Sequence, residues 1–275
     1  MAKRIELDEE EIVRLYVEEK WRVKDLAKKF NVEATTIRRR LHKNNVKLRQ
    51  SNELNRKYTL NEAYFDKIDT KEKAYLLGLI SADGWVAKSS RSSNLSLMGL
   101  CFQERDVELI EFAIKELESN QTFKIKNDSV SVNFCSKRMC EALFTYGIVP
   151  NKSLVLNIGE VINRASIPED LIPSFLIGYF DGDGSIASVR HSKYPSTIMW
   201  SCGFTGTWET CQFLLDYFKV GHIIDEHSKS GKTYTYKSSG INRVNEVLSP
   251  LYEAHNSFYL SRKYDKFLVM KSRLK

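Results

Sequence analysis

The sequence lacks the features of disulfide-rich, zinc-ribbon, secreted and membrane-spanning proteins. It has only five cysteines and no Cys-x-x-Cys pair, which argues against a disulfide framework or a zinc ribbon. No apolar run could cross a bilayer, and the N-terminus passes from a basic pair into acidic residues without the apolar stretch of a secretory signal. We therefore expect a protein of the cytoplasm or an organelle matrix, which is not secreted and binds no membrane. We expect buried thiols at Cys101, Cys135, Cys140, Cys202 and Cys211.

Positive charge is concentrated in one short segment. The formal net charge is +7, from 42 basic and 35 acidic residues. Residues 1–33 hold eight basic and nine acidic side chains, whereas residues 34–57 hold eight and one, so this segment alone sums to 8 − 1 = +7. Such a segment suits the neutralisation of nucleic-acid phosphates. A solvated basic linker is the alternative interpretation.

The spacing of apolar residues divides the first 50 residues into three short helices. Asp8 is a predicted N-cap of the first helix, the second begins near Val23, and Ile37 and Leu41 anchor the third. This spacing is typical of a helix-turn-helix, and it predicts a DNA-binding domain over residues 1–50. Small three-helix bundles also serve as protein-contact modules, which is the alternative. Residues 51–70 are polar and irregular, and we predict a partly ordered linker.

The third predicted helix supplies candidate DNA contacts. Because Ile37 and Leu41 face inward, the side chains one half-turn away face outward, and two arginines lie on the flanks. We expect one arginine to read a base and two to contact phosphates. With a further arginine before the linker, the candidates are Thr35, Thr36, Arg38, Arg39, Arg40, Lys43 and Arg49.

A short pattern occurs twice, as YLLGLISADGWV at residues 75–86 and as FLIGYFDGDGSI at residues 175–186. Each copy predicts an apolar helix with small residues four positions apart, at Gly78 and Ala82 and at Gly178 and Gly182. Small residues permit close contact between helices. Each copy then ends in Asp-Gly, where we expect the glycine to take the left-handed conformation that stops a helix.

The two Asp-Gly pairs place Asp83 and Asp183 at helix ends, 183 − 83 = 100 residues apart. If the small-residue faces pack together, both carboxylates lie close, which is costly unless they share a cation. The negative ends of two helix dipoles favour that cation further. Two carboxylates suit Mg²⁺, with Mn²⁺ as a substitute, and imply phosphodiester hydrolysis. A single copy would be equally typical of a buried helix with a surface turn, and the repetition favours the shared site.

Each copy is followed by the same order of predicted elements, which are two strands, a helix and a strand pair. We therefore predict an α+β fold with repeats at residues 71–165 and 166–275. A capping box at Asp69 and Glu72 is expected to open the first helix, and Pro173 suits the first turn of the second. The predicted elements lie at 85–87, 95–102, 107–117 and 122–134, and again at 186–189, 197–204, 209–218 and 220–236.

The motifs LLGLISADG and LIGYFDGDG resemble the two signature helices of single-chain LAGLIDADG homing endonucleases, and the resemblance extends over residues 71–275. It implies two pseudo-symmetric αββαββα repeats whose antiparallel sheets form a DNA-binding saddle, beside the small all-α helix-turn-helix domain. It also implies that Asp83 and Asp183 are catalytic metal ligands. The sixth motif position departs from the family pattern at Ser81 but not at Asp181, and we interpret this position as helix-ending rather than catalytic.

The resemblance implies further active-site residues. Lys152 and Lys263 match the family's active-site lysines by context and would orient water or steady phosphate charge. Gln103 resembles a glutamine found near the metals in some members, although its counterpart in the second repeat is not identifiable. Each lysine taken singly would be an ordinary surface charge. Further candidates for DNA contact, on predicted strands and tips, are Lys88, Arg91, Arg190, His191, Lys193 and Lys237.

The function implied is site-specific, Mg²⁺-dependent cleavage of double-stranded DNA at a long asymmetric target, by a monomer with internal pseudo-two-fold symmetry. Such enzymes serve the homing of a mobile intron or a free-standing element. A non-cleaving DNA-binding regulator and an intron RNA maturase of the same fold are the alternatives. The chain begins with methionine and ends Arg-Leu-Lys, without the nucleophile and terminal asparagine of a self-splicing protein, so we expect it to be free-standing.

Overall fold

The structure is a computed structural model that describes residues 7–49, 58–88, 95–190, 198–228 and 231–274. Its contacts divide the chain into two units, Met1–Lys57 and Tyr58–Lys275. Each unit has a hydrophobic core of its own.

The smaller unit is a three-helix bundle. Asp8 caps its first helix by accepting a hydrogen bond from the backbone N–H of Glu11 at 2.9 Å, as predicted. Ile12 of the first helix and Ile37 and Leu41 of the third helix are fully buried, and their side chains form the centre of the unit. The helices are α1 (Glu9–Val17), α2 (Val23–Lys29) and α3 (Ala34–Lys43).

The larger unit begins at Tyr58, inside the segment that is predicted to be a linker. The polar and irregular sequence predicts a linker over residues 51–70, but Tyr64, Phe65 and Ile68 are buried in the main core. The backbone carbonyl of Phe65 accepts a hydrogen bond from the Tyr146 hydroxyl at 2.7 Å. Three apolar side chains without helical or strand periodicity therefore pack this segment onto the unit, together with hydrogen bonds such as that of Tyr146.

The larger unit contains eight α-helices and eight strands among its described residues. No helix in the described parts of the chain is both long and apolar enough to span a membrane. The first half comprises α4 (Lys71–Asp83), β1 (Gly84–Lys88), β2 (Leu95–Gln103), α5 (Val107–Glu116), β3 (Lys124–Lys126), β4 (Ser129–Cys135), α6 (Lys137–Thr145) and α7 (Ile158–Arg164). The second half comprises α8 (Ile172–Asp183), β5 (Gly184–Arg190), β6 (Ile198–Gly206), α9 (Trp208–Phe218), β7 (His222–Ser228), β8 (Gly231–Ser239), α10 (Ile241–His255) and α11 (Ser261–Lys271).

The strands form two four-stranded antiparallel sheets with the same order, β1-β2-β4-β3 in the first and β5-β6-β8-β7 in the second. Alternation along each strand decides which face is buried. In β4, Val130, Val132 and Phe134 face the core, whereas Ser131 and Asn133 lie on the opposite face. We call the face of each sheet that is turned away from the core its outer face. The predicted α+β architecture and the repeated element order are confirmed.

Helices α4 and α8 cross at two glycines and form the centre of the larger unit. A Cβ atom on Gly78 would overlap the backbone carbonyl oxygen of Phe175, and one on Gly178 would overlap that of Tyr75. Near the helix ends, a Cβ atom on Gly182 would collide with the Ala82 side chain. The predicted contact between small-residue faces is therefore confirmed, and it holds the two backbones in direct contact.

The ends of these helices differ from two local predictions. Gly84 and Gly184 have extended backbones, with φ of −79° and −91°, instead of the left-handed conformation. Glycine is needed there for space, because a Cβ atom on Gly84 would lie 2.7 Å from the Ile80 Cα. The N-cap of α4 is Thr70, whose hydroxyl accepts from the Lys73 N–H at 3.2 Å. Asp69 instead pairs with the Lys73 ammonium, at 2.8 Å.

The thiols only partly follow the expectation of burial. All five cysteines lie among the described residues, and none of them forms a disulfide bond. Cys140, Cys202 and Cys211 are buried, but Cys135 is half-buried and Cys101 is exposed. The expectation was wrong for Cys101, because the alternation along β2 places this residue on the outer face of the first sheet.

We predict that Gly78→Ala and Gly178→Ala each destabilise the protein by roughly 3 kcal/mol or more, because the added methyl group must separate two backbones. The double variant should lose much less than the sum of the two losses, since helices separated by one methyl group accommodate the second. Urea unfolding of the four proteins measures both effects. Additive losses would show that the two glycines do not share one crossing.

Candidate active site

Asp83 and Asp183 are the last residues of α4 and α8, so the glycine crossing sets the distance between them. A Cβ atom on Gly182 would lie 2.9 Å from Asp83 Oδ2, which shows how closely the end of one helix approaches the carboxylate of the other. Both side chains are partly exposed. Within the described residues, neither carboxylate accepts a hydrogen bond or joins an ion pair. The two acids are therefore available to a ligand.

The two carboxylates are held in an unfavourable electrostatic environment. Burial and, to a smaller extent, the neighbouring Asp83 raise the pKa of Asp183 to about 6, against the lowering effect of Lys152 and Lys263. Burial also raises the pKa of Asp83, against the lowering effect of Lys152 and Lys263. Two partly desolvated negative charges at adjacent helix C-termini favour the arrival of a cation.

Both predicted lysines lie behind the aspartates, and each ammonium binds the backbone of a helix end. Lys152 is 7% exposed and donates to the Ala82 carbonyl. Lys263 is 3% exposed, and its ammonium, with three N–H groups, lies within hydrogen-bonding distance of four carbonyls. Its acceptors are the carbonyl oxygens of Phe180 at 2.6 Å, Asp181 at 2.8 Å, Gly182 at 3.2 Å and Gly184 at 2.6 Å.

Burial and the nearby carboxylates act in opposite directions on the pKa of each lysine. Burial lowers the pKa of Lys263 to about 8, and Asp181 raises it in opposition. Burial likewise lowers the pKa of Lys152, while Asp183 and Asp83 raise it. The orphan carbonyls at a helix C-terminus attract cations, and the lysines meet that requirement at both helix ends.

Asp181 is not the helix-ending residue that was expected. It is 2% exposed and lies inside α8. Its Oδ2 accepts hydrogen bonds from the Tyr75 hydroxyl at 2.7 Å and from the Leu260 N–H at 2.8 Å. Ser81, at the matching position of α4, donates to the Leu77 carbonyl of its own helix at 2.8 Å. The second motif copy therefore has a buried carboxylate where the first has a serine hydroxyl.

The donor set suits a hard divalent cation with few protein ligands. Among the described residues, no three or more His, Cys, Asp or Glu side chains are grouped to hold a metal. The protein would thus supply Asp83 and Asp183 alone. Mg²⁺ is commonly bound by one or two carboxylates, with water and substrate phosphate completing its coordination.

Gln103 is the remaining predicted active-site residue, and it lies apart from the hydrogen bonds of the two aspartates and the two lysines among the described residues. It is the last residue of β2, and its exposed side chain lies on the outer face of the first sheet. None of the hydrogen bonds among the described residues links it to either aspartate or either lysine. Its role remains a prediction.

The other residues predicted to contact DNA from the sheets lie on different strands and faces. Lys237 lies on the outer face of the second sheet, opposite Gly203 on one side and His222 on the other. Arg190 ends β5 on the same side as the buried Ile186, and Lys88 ends β1 after a shift in register. Both of these side chains are exposed. Arg91, His191 and Lys193 lie outside the described residues.

Several outer-face residues were missed by sequence reasoning. Lys124 and Lys126 are exposed on β3 and pair with Ser131 and Ser129 of β4. His222 is exposed beside Lys237. The strict alternation in SVSVNFC could have identified the polar face of β4. The two lysines lie within the strand pair predicted over residues 122–134, which places them beside this face.

The predicted contacts of α3 fall into two groups. Thr35, Arg38 and Arg39 are exposed, and no hydrogen bond or ion pair within the described residues engages their side chains. Arg40 and Lys43 instead bind Glu9 of α1, at 2.6 Å and 3.1 Å. Thr36 is half-buried. The exposed His42 lies on the same side as Arg39 and was missed.

Glu9 and Arg49 hold the smaller unit together. Three donors, from Arg40, Lys43 and Asn44, lower the pKa of Glu9 to about 2, with the Asn44 bond contributing most. Arg49 stacks on the ring of Tyr16, with 4.3 Å from its Cζ to the ring centroid. Its guanidinium also donates to the Lys20 carbonyl at 2.9 Å. These contacts are internal to the unit.

We predict that Asp183→Asn raises the midpoint of thermal unfolding at pH 7.5 in metal-free buffer by a few degrees. The raised pKa means that the folded protein binds the proton more tightly than the unfolded chain, whose Asp has a pKa of 3.8. The ionised carboxylate thus costs stability as pH rises from about 4 to about 6, and the full penalty remains at pH 7.5. Mg²⁺ should stabilise the wild type but not Asp183→Asn.

Asp265→Asn, an exposed aspartate of α11, is the matched control and should change neither result. An unfolding midpoint for Asp183→Asn at or below that of the wild type in metal-free buffer would contradict the prediction. Scanning calorimetry at pH 5 and pH 7.5 measures all three proteins.

Solved structures similar to this chain share its fold at low sequence identity. No family model and no curated protein matches the sequence. The meganuclease I-SmaMI bound to uncleaveable DNA is 15% identical with a TM-score of 0.52, over 74% of this chain and 92% of that one. The LAGLIDADG homing endonuclease I-GzeII in complex with its DNA target is 15% identical with a TM-score of 0.50, over 72% and 89%. Over most of its length, the chain therefore has the fold of the LAGLIDADG homing endonucleases.

Proposed function

We propose that this protein is a site-specific DNA endonuclease of the LAGLIDADG type, which hydrolyses phosphodiester bonds in a long asymmetric duplex. The observation that carries the proposal is the pair Asp83 and Asp183. Both carboxylates are partly exposed, free of partners among the described residues and raised in pKa, at the ends of two helices in direct contact. Similar solved structures are bound to DNA, one of them to cleaved DNA.

In this proposal Asp83 and Asp183 are the residues that would hold Mg²⁺. When bound, the metal supplies an activated water and neutralises charge on the leaving oxygen. Lys152 and Lys263 keep positive charge directly behind the carboxylates and fix the helix-end backbone from which those carboxylates project. The aspartates thus meet the phosphate from a rigid base, which favours a single attack geometry.

The outer faces of the two sheets are the proposed DNA surface. Beside apolar residues such as Val189 and Met199, they carry small polar side chains and a few cations, which suit contacts to base edges and phosphates. The cations come from the edge strand β3 in the first sheet and from the interior strand β8 in the second, where Lys237 lies opposite His222 of β7. The proposed contacts are Lys124, Lys126, Ser131, Asn133, His222 and Lys237.

The smaller unit is proposed to bind duplex DNA as a helix-turn-helix, with residues 71–165 and 166–275 as the two catalytic repeats. Thr35, Arg38 and Arg39 present free, exposed side chains from α3 to a major groove. Arg40 and Lys43 are bound to Glu9, so they contribute less to phosphate contact than their charge suggests.

We predict that Asp83→Asn and Asp183→Asn each lower the rate of cutting by at least about a hundredfold while sparing DNA affinity, because each removes one charge from the metal site. A target is obtained first by selecting cleaved sequences from random duplex DNA with Mg²⁺. Cutting is then followed on that duplex, and affinity is measured without divalent metal. Asp265→Asn serves as the matched control.

Normal cutting by either active-site variant would refute the proposed role of the two aspartates in catalysis. A wild-type protein that binds a selected duplex but cuts nothing with Mg²⁺ or Mn²⁺ would replace the proposal with the non-cleaving regulator. These two outcomes are separated by measuring affinity and cutting on the same DNA.

We predict that Arg39→Ala weakens duplex binding and lowers the slope of log affinity against log salt by about 1, because one phosphate or base contact is lost. Arg40→Ala should leave the slope nearly unchanged and instead destabilise the unit, since it removes a partner of Glu9. Fluorescence anisotropy from 50 to about 300 mM salt measures the slope. Equal effects of the two variants would contradict the division of roles.

A further inference from the structure

The two halves of the proposed active site are supported differently. At the sixth motif position, Ser81 bonds only to its own helix, whereas Asp181 is a buried carboxylate that bonds outside its helix. One partner of Asp181 is the hydroxyl of Tyr75, which belongs to α4 in the other half of the molecule. The other is the backbone N–H of Leu260. Asp181 therefore connects α8 to two different elements.

Leu260 is the N-cap of α11, the helix that carries Lys263. The backbone N–H groups of Lys263 and Tyr264 donate to the Leu260 carbonyl, at 3.0 Å and 3.1 Å. By holding the Leu260 N–H, Asp181 fixes the first turn of this helix. The Lys263 ammonium then returns to the carbonyl of Asp181 itself, at 2.8 Å. Carboxylate, helix start and lysine thus form a closed loop of contacts.

Residues of the first half reinforce the same turn. The Arg262 guanidinium donates to both carboxylate oxygens of Asp106, at 2.5 Å and 2.7 Å. Glu108 accepts from the Ser261 N–H at 2.9 Å and from its hydroxyl at 2.7 Å. Asp106 is 5% exposed, so this pairing is largely protected from solvent. The lysine of the second half is therefore positioned by groups of the first.

The first half has a simpler construction. Lys152 lies on a short 3₁₀ turn, Lys152–Leu154, that follows a left-handed Asn151 with φ of 58°. Its ammonium donates to one carbonyl, that of Ala82, and no buried carboxylate bonds to its turn among the described residues. The two lysines thus occupy matching places but differ in how many groups hold them.

We propose that Asp181 is a positioning residue of the Asp183–Lys263 half-site alone, anchored across the two halves by Tyr75, and that the two DNA strands are therefore cut with different dependence on it. This inference rests on the proposed endonuclease function. Asp181 touches no substrate and acts through the turn that carries Lys263. A carboxylate that only stabilised the fold would slow cutting of both strands equally.

The first test is cleavage of a duplex with a different dye on each strand, so that the two rate constants are measured in one reaction. Lys263→Met and Lys152→Met identify the strand that depends on each half-site. Asp181→Asn should slow the Lys263-dependent strand by at least about tenfold and the other strand by less than about twofold. Tyr75→Phe, which keeps the ring, should shift the ratio in the same direction by a smaller factor.

The second test needs neither metal nor DNA. In Asp181→Asn, amide hydrogen exchange of the first turn of α11, residues 261–265, should quicken by at least about tenfold, while residues 152–156 keep the wild-type rate. Ser81→Ala, at the matching position of α4, is the control and should change neither exchange nor the strand ratio. A circular dichroism spectrum and duplex affinity equal to those of the wild type exclude global unfolding as the cause.

Equal slowing of both strands by Asp181→Asn overturns the inference while leaving the endonuclease proposal intact, and so does an unchanged strand ratio with faster exchange. Wild-type protein that cuts neither strand refutes the endonuclease proposal, and the inference falls with it. A strand-selective loss that coincides with the Lys263-dependent strand supports the inference.

Discussion

The direct contact of two helix backbones at Gly78 and Gly178 is the constraint on which the rest of the larger unit depends. Side chains normally keep packed helices 8 to 10 Å apart, and glycine removes that spacer. Because the contact is reciprocal, each glycine receives a carbonyl of the opposite helix. The two C-terminal ends are thereby brought together, and each end continues directly into the first strand of a sheet. One crossing thus positions both sheets and both aspartates.

This arrangement places charges where an ordinary core would not. Asp83 and Asp183 share a partly desolvated space at two negative helix ends, and burial raises the pKa of both. Lys152 and Lys263 offset some of this cost by binding the helix-end carbonyls instead of the carboxylates. The carboxylates are thereby left without protein partners among the described residues. A site that gives up stability in this way is typical of one built for a ligand.

The smaller unit shows that formal charge overstates the charge available for binding. Its basic segment carries the whole net charge of the chain, yet Arg40 and Lys43 are bound to Glu9, and Arg49 is bound to Tyr16 and to backbone carbonyls. The remaining exposed cations of α3 lie on its outward side. Internal pairing therefore selects which arginines of a consecutive run are free, a choice that the run itself does not reveal.

Local patterns in the sequence determined the helices, the alternating strands, the repeat and the two aspartates, because each of these is a periodicity or a motif over a few residues. They also predicted the glycine contact, since small residues four positions apart form one helix face. They did not predict that residues 58–70 join the core, nor that Asp181 bonds to Tyr75, 106 residues away. Nor did they reveal that Lys263 binds helix-end carbonyls about 80 residues before it. Such contacts join distant segments and are decided by packing, so only the tertiary structure contains them.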